Sequence, residues 1–296
     1  MGEQSSRLII INADDFGLHV AVNNAIVHAY RHGVVTSASI MACGAAFDDA
    51  VTQWQTCPDL GIGVHLTLVE ERPLSPSQTV PSLVDRAGQM RPSYKNFARD
   101  WCMGLIKKQE VEYELEAQVE RVLRHGIRPS HLDSHQHVHC LPGIWGLVLN
   151  IARKYHVPFV RMPAFDRFWC EGKGLTISIL RAGINLMSFV RRRLRSSEVK
   201  FEDCMKGAAF SGHMTVAILL QILDDVRSGI TEVLVHPGLP DESLRTQYCH
   251  WEGFSWGSDL QAVTDPQVIA RCLREDITLT NFAKLTKSHS HPIPLQ

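Results

Sequence analysis

The chain has no CxxC pair. Its eight cysteines stand apart at 43, 57, 102, 140, 170, 204, 249 and 272 of 296 residues, far below the density of a secreted disulfide scaffold. Reduced thiols in a cytoplasmic protein are the expectation. The N-terminus lacks a basic region followed by a long apolar stretch and a small-residue cleavage site, so no secretory signal is visible. Excess charge is lacking too: a net charge of -1 and a pI of about 6.9 exclude a global basic field for nucleic acid and an acidic disordered tail. There is no internal repeat and no low-complexity tract.

What is present is a core-forming composition, 45% hydrophobic and 21% charged. Short apolar runs at 8–12, 36–42, 61–66, 130–134, 157–161, 207–210 and 231–235 read as strands. Amphipathic stretches at Val20–His32 and Val111–His125 read as crossover helices between them. This alternation, with polar residues at several strand C-termini, predicts a parallel α/β barrel or open sheet. The stretch 70–92, rich in Pro, Ser and Gly, reads as an excursion able to cap a site.

Chemistry-bearing residues gather where apolar runs end. Asp14 and Asp15 follow the run Leu8–Ile11, and two adjacent carboxylates beside a buried strand call for a metal ion or a shared proton. The plainer reading is a cap for the helix at Val20–His32. His65 interrupts a strand between glycine-flanked positions, which is compatible with a core histidine or a ligand. His236 stands at a strand end before Pro237-Gly238. The densest cluster is His131-Leu132-Asp133-Ser134-His135-Gln136-His137-Val138-His139, four of fifteen histidines in nine residues. In extended backbone its alternate side chains share one face. Together these residues suggest a carboxylate-imidazole metal site and a metal hydrolase.

The motifs Ile11-Asn12-Ala13-Asp14-Asp15-Phe16-Gly17, Gly63-Val64-His65-Leu66, His131 to His139 and His236-Pro237-Gly238 occur in the order found in the YdjC-like carbohydrate deacetylases, which the chain resembles over about 7–285. The resemblance implies a distorted (β/α) barrel related to polysaccharide deacetylases. It implies one domain over 7–285, with 70–92 and 165–200 as excursions or inserts and 286–296 as a tail. It also implies removal of an N-acetyl group from an amino sugar with one divalent metal ion.

Carried over by position, it assigns the metal to Asp15, His65 and His135, the general base to Asp14 and the general acid to His236. His139 stands as the alternative to His135. Arg161 would orient Asp14 or bind substrate, unless it is a surface arginine. His131, His137 and His139 are left for substrate contacts or for orienting the ligands. Two histidines and a carboxylate suit zinc, whereas the family is often associated with magnesium, so the metal is magnesium or zinc.

The stretch Leu175–Ser197 spaces Leu180, Ile184, Met187, Val190 and Leu194 on one helical face and ends in Arg191, Arg192, Arg193 and Arg195. Arg181 keeps it short of a membrane span. It fits peripheral contact with anionic lipid at the inner face of the cytoplasmic membrane, or an ordinary core-facing helix. The segment Leu68–Leu74 followed by Pro81–Asp85 looks like the hopanoid-biosynthesis-associated branch, with Glu71 where glycine is expected. An N-acetylglucosaminyl hopanoid glycolipid is therefore the preferred substrate. A chitooligosaccharide deacetylase, a metal phosphoesterase and a non-catalytic membrane-surface binding protein are the alternatives.

Overall fold

The structure, a computed structural model, describes residues 6–162 and 198–287. Among the described residues eight strands form a single parallel sheet. They are β1 (Arg7–Phe16), β2 (Ser37–Ile40), β3 (Gly61–Leu66), β4 (His131–Ser134), β5 (Phe159–Val160), β6 (Cys204–Lys206), β7 (Gly229–Val235) and β8 (Thr278–Leu279). Their order is β5-β4-β3-β2-β1-β7-β6, and β8 pairs with the start of β1. Parallel neighbours need long crossovers. Helices α1 (Val20–His32), α2 (Phe47–Trp54), α3 (Tyr94–Cys102), α4 (Lys108–Arg124), α5 (Ile144–Lys154), α6 (Val216–Asp224), α7 (Glu242–Gln247), α8 (Trp256–Thr264), α9 (Pro266–Cys272) and α10 (Phe282–Lys287) lie in those connections and after the last strand.

Period-two alternation sets which side chains face the helices. Ile9, Ile11 and Ala13 of β1, Ile62 and Val64 of β3 and Val233 and Val235 of β7 join the main apolar core against the helices. The intervening positions turn the other way and are largely polar: Asn12, Ser39, His65, His131, Asp133 and Glu232 are all buried. The interior is therefore polar at the strands' C-terminal ends and apolar only near their starts. There Ile10, Phe159, Phe282 and Leu285 form a separate small cluster.

The sheet curls on itself. Arg161, directly after β5, bonds Asp14 on β1, four places away in the strand order, and Glu232 on β7, five places away. A flat sheet cannot bring these together, since neighbouring strands lie about 4.8 Å apart. The two edges also meet: Val160 N–H donates to Lys200 O at 3.1 Å and Lys200 N–H to Pro158 O at 2.8 Å, four residues before β6 begins. The fold is the distorted (β/α) barrel expected from the motifs.

The expected strand at 207–210 is displaced. Strand β6 is Cys204–Lys206, paired with Thr231–Val233, and Ala208–Phe210 is a 3-10 turn. Gly207 ends the strand at φ +93, and a Cβ there would meet Leu234 O at 2.5 Å. The reading of 131–139 as one extended run also fails past Ser134. Gln136 and His137 take left-handed backbone, φ +52 and +54, within a 3-10 segment at His135–Cys140, so alternation stops and the four histidines do not share a face. Among the described residues no helix is long and apolar enough to cross a membrane. The stretch 175–197 lies outside the described residues.

Candidate active site

Strict alternation would send Asp14 and Asp15 to opposite sides of the sheet. Instead β1 carries a bulge: Ala13 pairs with Ala38 but Phe16 with Ile40, three steps against two, and Asp15 sits at φ +68. Both carboxylates consequently turn inward and meet the same imidazole. His65 Nε2 is 3.3 Å from Asp15 Oδ1, and His65 Nδ1 is 3.8 Å from Asp14 Oδ2. Neither aspartate caps α1, because His19 does so by accepting Ala21 N–H.

His65 can face them because β3 is Gly-X-Gly-X-His. Gly63 lies under the His131 ring of β4, where a Cβ would fall 2.3 Å from Nε2, so this glycine admits the close approach. His131 in turn is hydrogen-bonded at both nitrogens, to Ser39 Oγ at 3.0 Å and Ser130 Oγ at 3.1 Å. Burial pushes its pKa down to about 3, so it is a neutral interior residue. His139 is spoken for in the same way, by Ser134 Oγ and by Arg161 O at 3.0 Å, and burial takes it to about 3 as well. His137 points its Nδ1 into the interior without a hydrogen-bond partner, and burial with the nearby Arg161 charge lowers its pKa.

Asp15, His65 and His135 therefore converge. Their donor atoms lie within 4.8 Å of one another, with His135 Nδ1 3.1 Å and His65 Nε2 3.3 Å from Asp15 Oδ1. The ring nitrogens facing away are held by other carboxylates: His65 Nδ1 by Asp133 Oδ1 at 2.9 Å, His135 Nε2 by Glu70 Oε2 at 2.8 Å. A second grouping, Asp14, His65 and Asp133, lies equally close. Its carboxylates are already bonded by Asn12, Ser39 and Arg161, which makes it a hydrogen-bond network.

Arg161 is fully buried. Its Nη1 and Nη2 each approach one Asp14 oxygen at 2.7 Å, Nη2 reaches Asp133 at 2.8 Å, and Nε and Nη2 bind Glu232 at 2.6–3.1 Å. With neither solvent nor a free donor face it is not a surface arginine. Among the described residues five carboxylates, Asp14, Asp15, Glu70, Asp133 and Glu232, stand around this core against one permanent cation, Arg161. Such a surplus shows in the titration of its histidines. Burial opposes a charged His65, but Asp133, Asp14 and Asp15 outweigh it and raise its pKa well above the usual value. Burial likewise opposes a charged His135, yet Asp15 and Glu70 raise it to about 9. Glu232 is pushed up to about 7, chiefly by burial and further by the Asp14 and Asp133 charges, against the pull of Arg161. The set fits a divalent cation on two grounds: convergent oxygen and nitrogen donors, and a local deficit of positive charge.

His236 follows β7, which pairs with β1 through Ala13 and Val235, so it stands beside Asp14. Its Nδ1 is buried without a hydrogen-bond partner, and burial lowers its pKa despite the Asp15 and Asp14 charges. Its backbone N–H is fixed by Asp259 Oδ2 at 2.8 Å.

The four strand-end motifs gather around one buried carboxylate-imidazole cluster. The sequence matches the YdjC-like protein family over residues 8–274. The chain belongs to the YdjC-like family. It is 35% identical to a carbohydrate deacetylase of Brevibacillus brevis, covering 80% of this chain and 84% of that one. It is 32% identical to a chitooligosaccharide deacetylase of Escherichia fergusonii, covering 82% and 86%. A crystal structure described as a cellobiose-phosphate cleavage protein of Enterococcus faecalis superposes with a TM-score of 0.75 at 28% identity, covering 95% of this chain and 99% of that one.

Sequence reasoning missed Glu70, Trp251 and Glu232. Glu70 stands in the Leu68–Leu74 segment, which pointed to a branch of the family and not to the metal, and Glu232 is a strand residue with no motif around it. A lone charged residue inside the apolar run Val233-Leu234-Val235 and its preceding Thr231 was the one visible signal, for Glu232.

Proposed function

We propose that this YdjC-like protein is a metal-dependent hydrolase that removes the N-acetyl group from an amino sugar. The observation that carries the reading is the convergence of Asp15, His65 and His135 at the strand ends beside Asp14 and His236. The carbohydrate deacetylases among its relatives supply the substrate class.

Asp15, His65 and His135 would hold the ion, which when bound polarises the acetyl carbonyl and faces the negative charge developing on its oxygen. Asp14 is the proton acceptor toward the attacking water. Arg161 fixes its carboxylate plane by two parallel bonds, and Asn12 Nδ2 donates to Oδ1 at 2.8 Å, which leaves a lone pair on Oδ2 for the proton. His236, across the β1–β7 pair, protonates the departing sugar nitrogen. The remaining histidines hold the interior: His131 and His139 are hydrogen-bonded at both ring nitrogens and serve as supports.

Zinc is the ion that best suits two imidazoles and one carboxylate, with magnesium the second choice. The preferred substrate is an N-acetylglucosaminyl hopanoid glycolipid, supported by the Leu68–Leu74 and Pro81–Asp85 motifs and by the basic amphipathic stretch 175–197. Chitooligosaccharides are the second reading, favoured by the relative from Escherichia fergusonii. Acetate release from an N-acetylglucosaminyl lipid and from chitobiose, with zinc or magnesium added after chelation, tests both. Acetate from neither substrate with either metal would overturn the proposal.

A further inference from the structure

His135 is gripped from two sides. Its Nδ1 faces Asp15, and its Nε2 meets Glu70 Oε2 at 2.8 Å. Glu70 lies four residues beyond β3, at the start of the 70–92 excursion, in left-handed backbone at φ +68. A residue with a Cβ holds that conformation at a cost of about 1–2 kcal/mol, so something must enforce it. Its N–H donates to Arg91 O at 2.7 Å, and its C=O accepts the Gln89 side-chain amide. The carboxylate is pinned as well: Trp251 Nε1 donates at 3.1 and 3.2 Å, and His250 Nε2 approaches at 3.2 Å. Trp251 also stacks on the His135 ring, with centroids 5.6 Å apart and planes 24° from parallel.

The arrangement repeats the one at His65, where Asp133 holds Nδ1 and turns Nε2 toward Asp15. A carboxylate on the outer nitrogen of a metal-binding imidazole fixes both the ring orientation and the tautomer. At His65 that carboxylate comes from the adjacent strand. At His135 it comes from a loop.

We propose that Glu70 is a positioning residue of the metal centre: its carboxylate, held by Trp251, fixes the His135 ring so that Nδ1 is presented to a divalent cation. This rests on the metal-dependent reading above and adds to it a residue outside the strand-end motifs. Half of the centre, Asp15 with His65 and Asp133, belongs to the barrel. The other half is assembled only when the 70–92 excursion and the segment around Trp251 are both seated on it.

The test is zinc affinity of the full chain, measured by competition with a chromophoric chelator and independent of turnover. Glu70→Ala should weaken binding by about 10–100-fold, and Glu70→Gln, which keeps an oxygen for Nε2–H, should restore most of it. Trp251→Phe, which keeps the stacking and removes the indole N–H, should weaken zinc several-fold. Nitrogen-15 NMR of the zinc-loaded wild type should show His135 protonated at Nε2. Should Glu70→Ala fail to fold, Glu70→Met, of similar length and apolar, takes its place. Wild-type binding with equal affinity in the Ala or Met variant overturns the role of Glu70 alone. A wild type that binds no zinc and no magnesium overturns the metal centre itself.

Discussion

Arg161 and Asp14 face each other through two parallel 2.7 Å hydrogen bonds, although their strands are four places apart in the sheet. The same guanidinium also satisfies Asp133 and Glu232. Replacing it by methionine leaves three buried carboxylates without their cation. Arg161→Met should lose about 3–5 kcal/mol of stability, read by urea unfolding. A loss below about 1 kcal/mol would mean that Arg161 does not hold the barrel interior together.

Asp14→Asn keeps the shape and the Asn12 side of the network but removes the proton acceptor. Acetate release should fall about 10²–10⁴-fold, while zinc affinity stays within a few-fold of wild type because Asp15, His65 and His135 are untouched. A variant as active as wild type would remove Asp14 from the chemistry. Equal loss of metal and activity would make it a ligand.

His236→Asn should lower turnover on amide substrates by a similar factor. An acetyl ester with a good leaving group needs no proton at departure, so its hydrolysis should suffer far less. Equal losses on amide and ester would show that His236 acts elsewhere than on the leaving group.

The neutral histidines of the interior give stability a pH dependence. Burial holds His131 at about 3 when folded, against about 6.5 in an unfolded chain. Between those values the folded protein binds fewer protons than the unfolded one. The contribution is complete above pH 6.5 and is lost as pH falls toward 3, by about 1.4 kcal/mol per pH unit for this group. Urea midpoints between pH 6 and pH 4.5 should fall less steeply in His131→Gln than in wild type, whatever the absolute stability of the variant. Parallel slopes would show that His131 takes up a proton in the folded state.

Chelation should abolish acetate release, and restored zinc should raise the unfolding midpoint as well as the activity. At a hundredfold excess over the dissociation constant the stabilisation is about 2.7 kcal/mol. Activity that survives exhaustive chelation would sink the metal-dependent reading.

Much of this was legible in the chain itself. Apolar runs ending in Asp14-Asp15, His65, His131-Leu132-Asp133 and His236 mark strands whose C-terminal ends carry polar groups, and those strands form where expected. Local pattern could not show the bulge that turns both aspartates inward, since a reader counting alternation puts one of them outside. Nor could it show that the chain twists left-handed at Gln136 and His137 and so separates His135 from its neighbours. Glu70, Trp251 and Glu232 join the site through contacts 65, 181 and 71 residues away in sequence, with His135, Glu70 and Arg161 respectively. Contacts of that span leave no periodic trace.

Phe282, in the last described helix, packs among Ile10, Phe159 and Leu285, its ring 4.3 Å from that of His131 and 5.2 Å from that of Phe159. His131 braces Ser39, and Ser39 donates to Asp133, the residue that turns His65. A ribosome therefore delivers the ligands early and their foundation late: Asp15 and His65 emerge more than two hundred residues before the phenyl ring on which the stack beneath them rests. A nascent chain stopped short of 282 should hold the sequence of the site without its shape, and so should a proteolytic product trimmed to the same point.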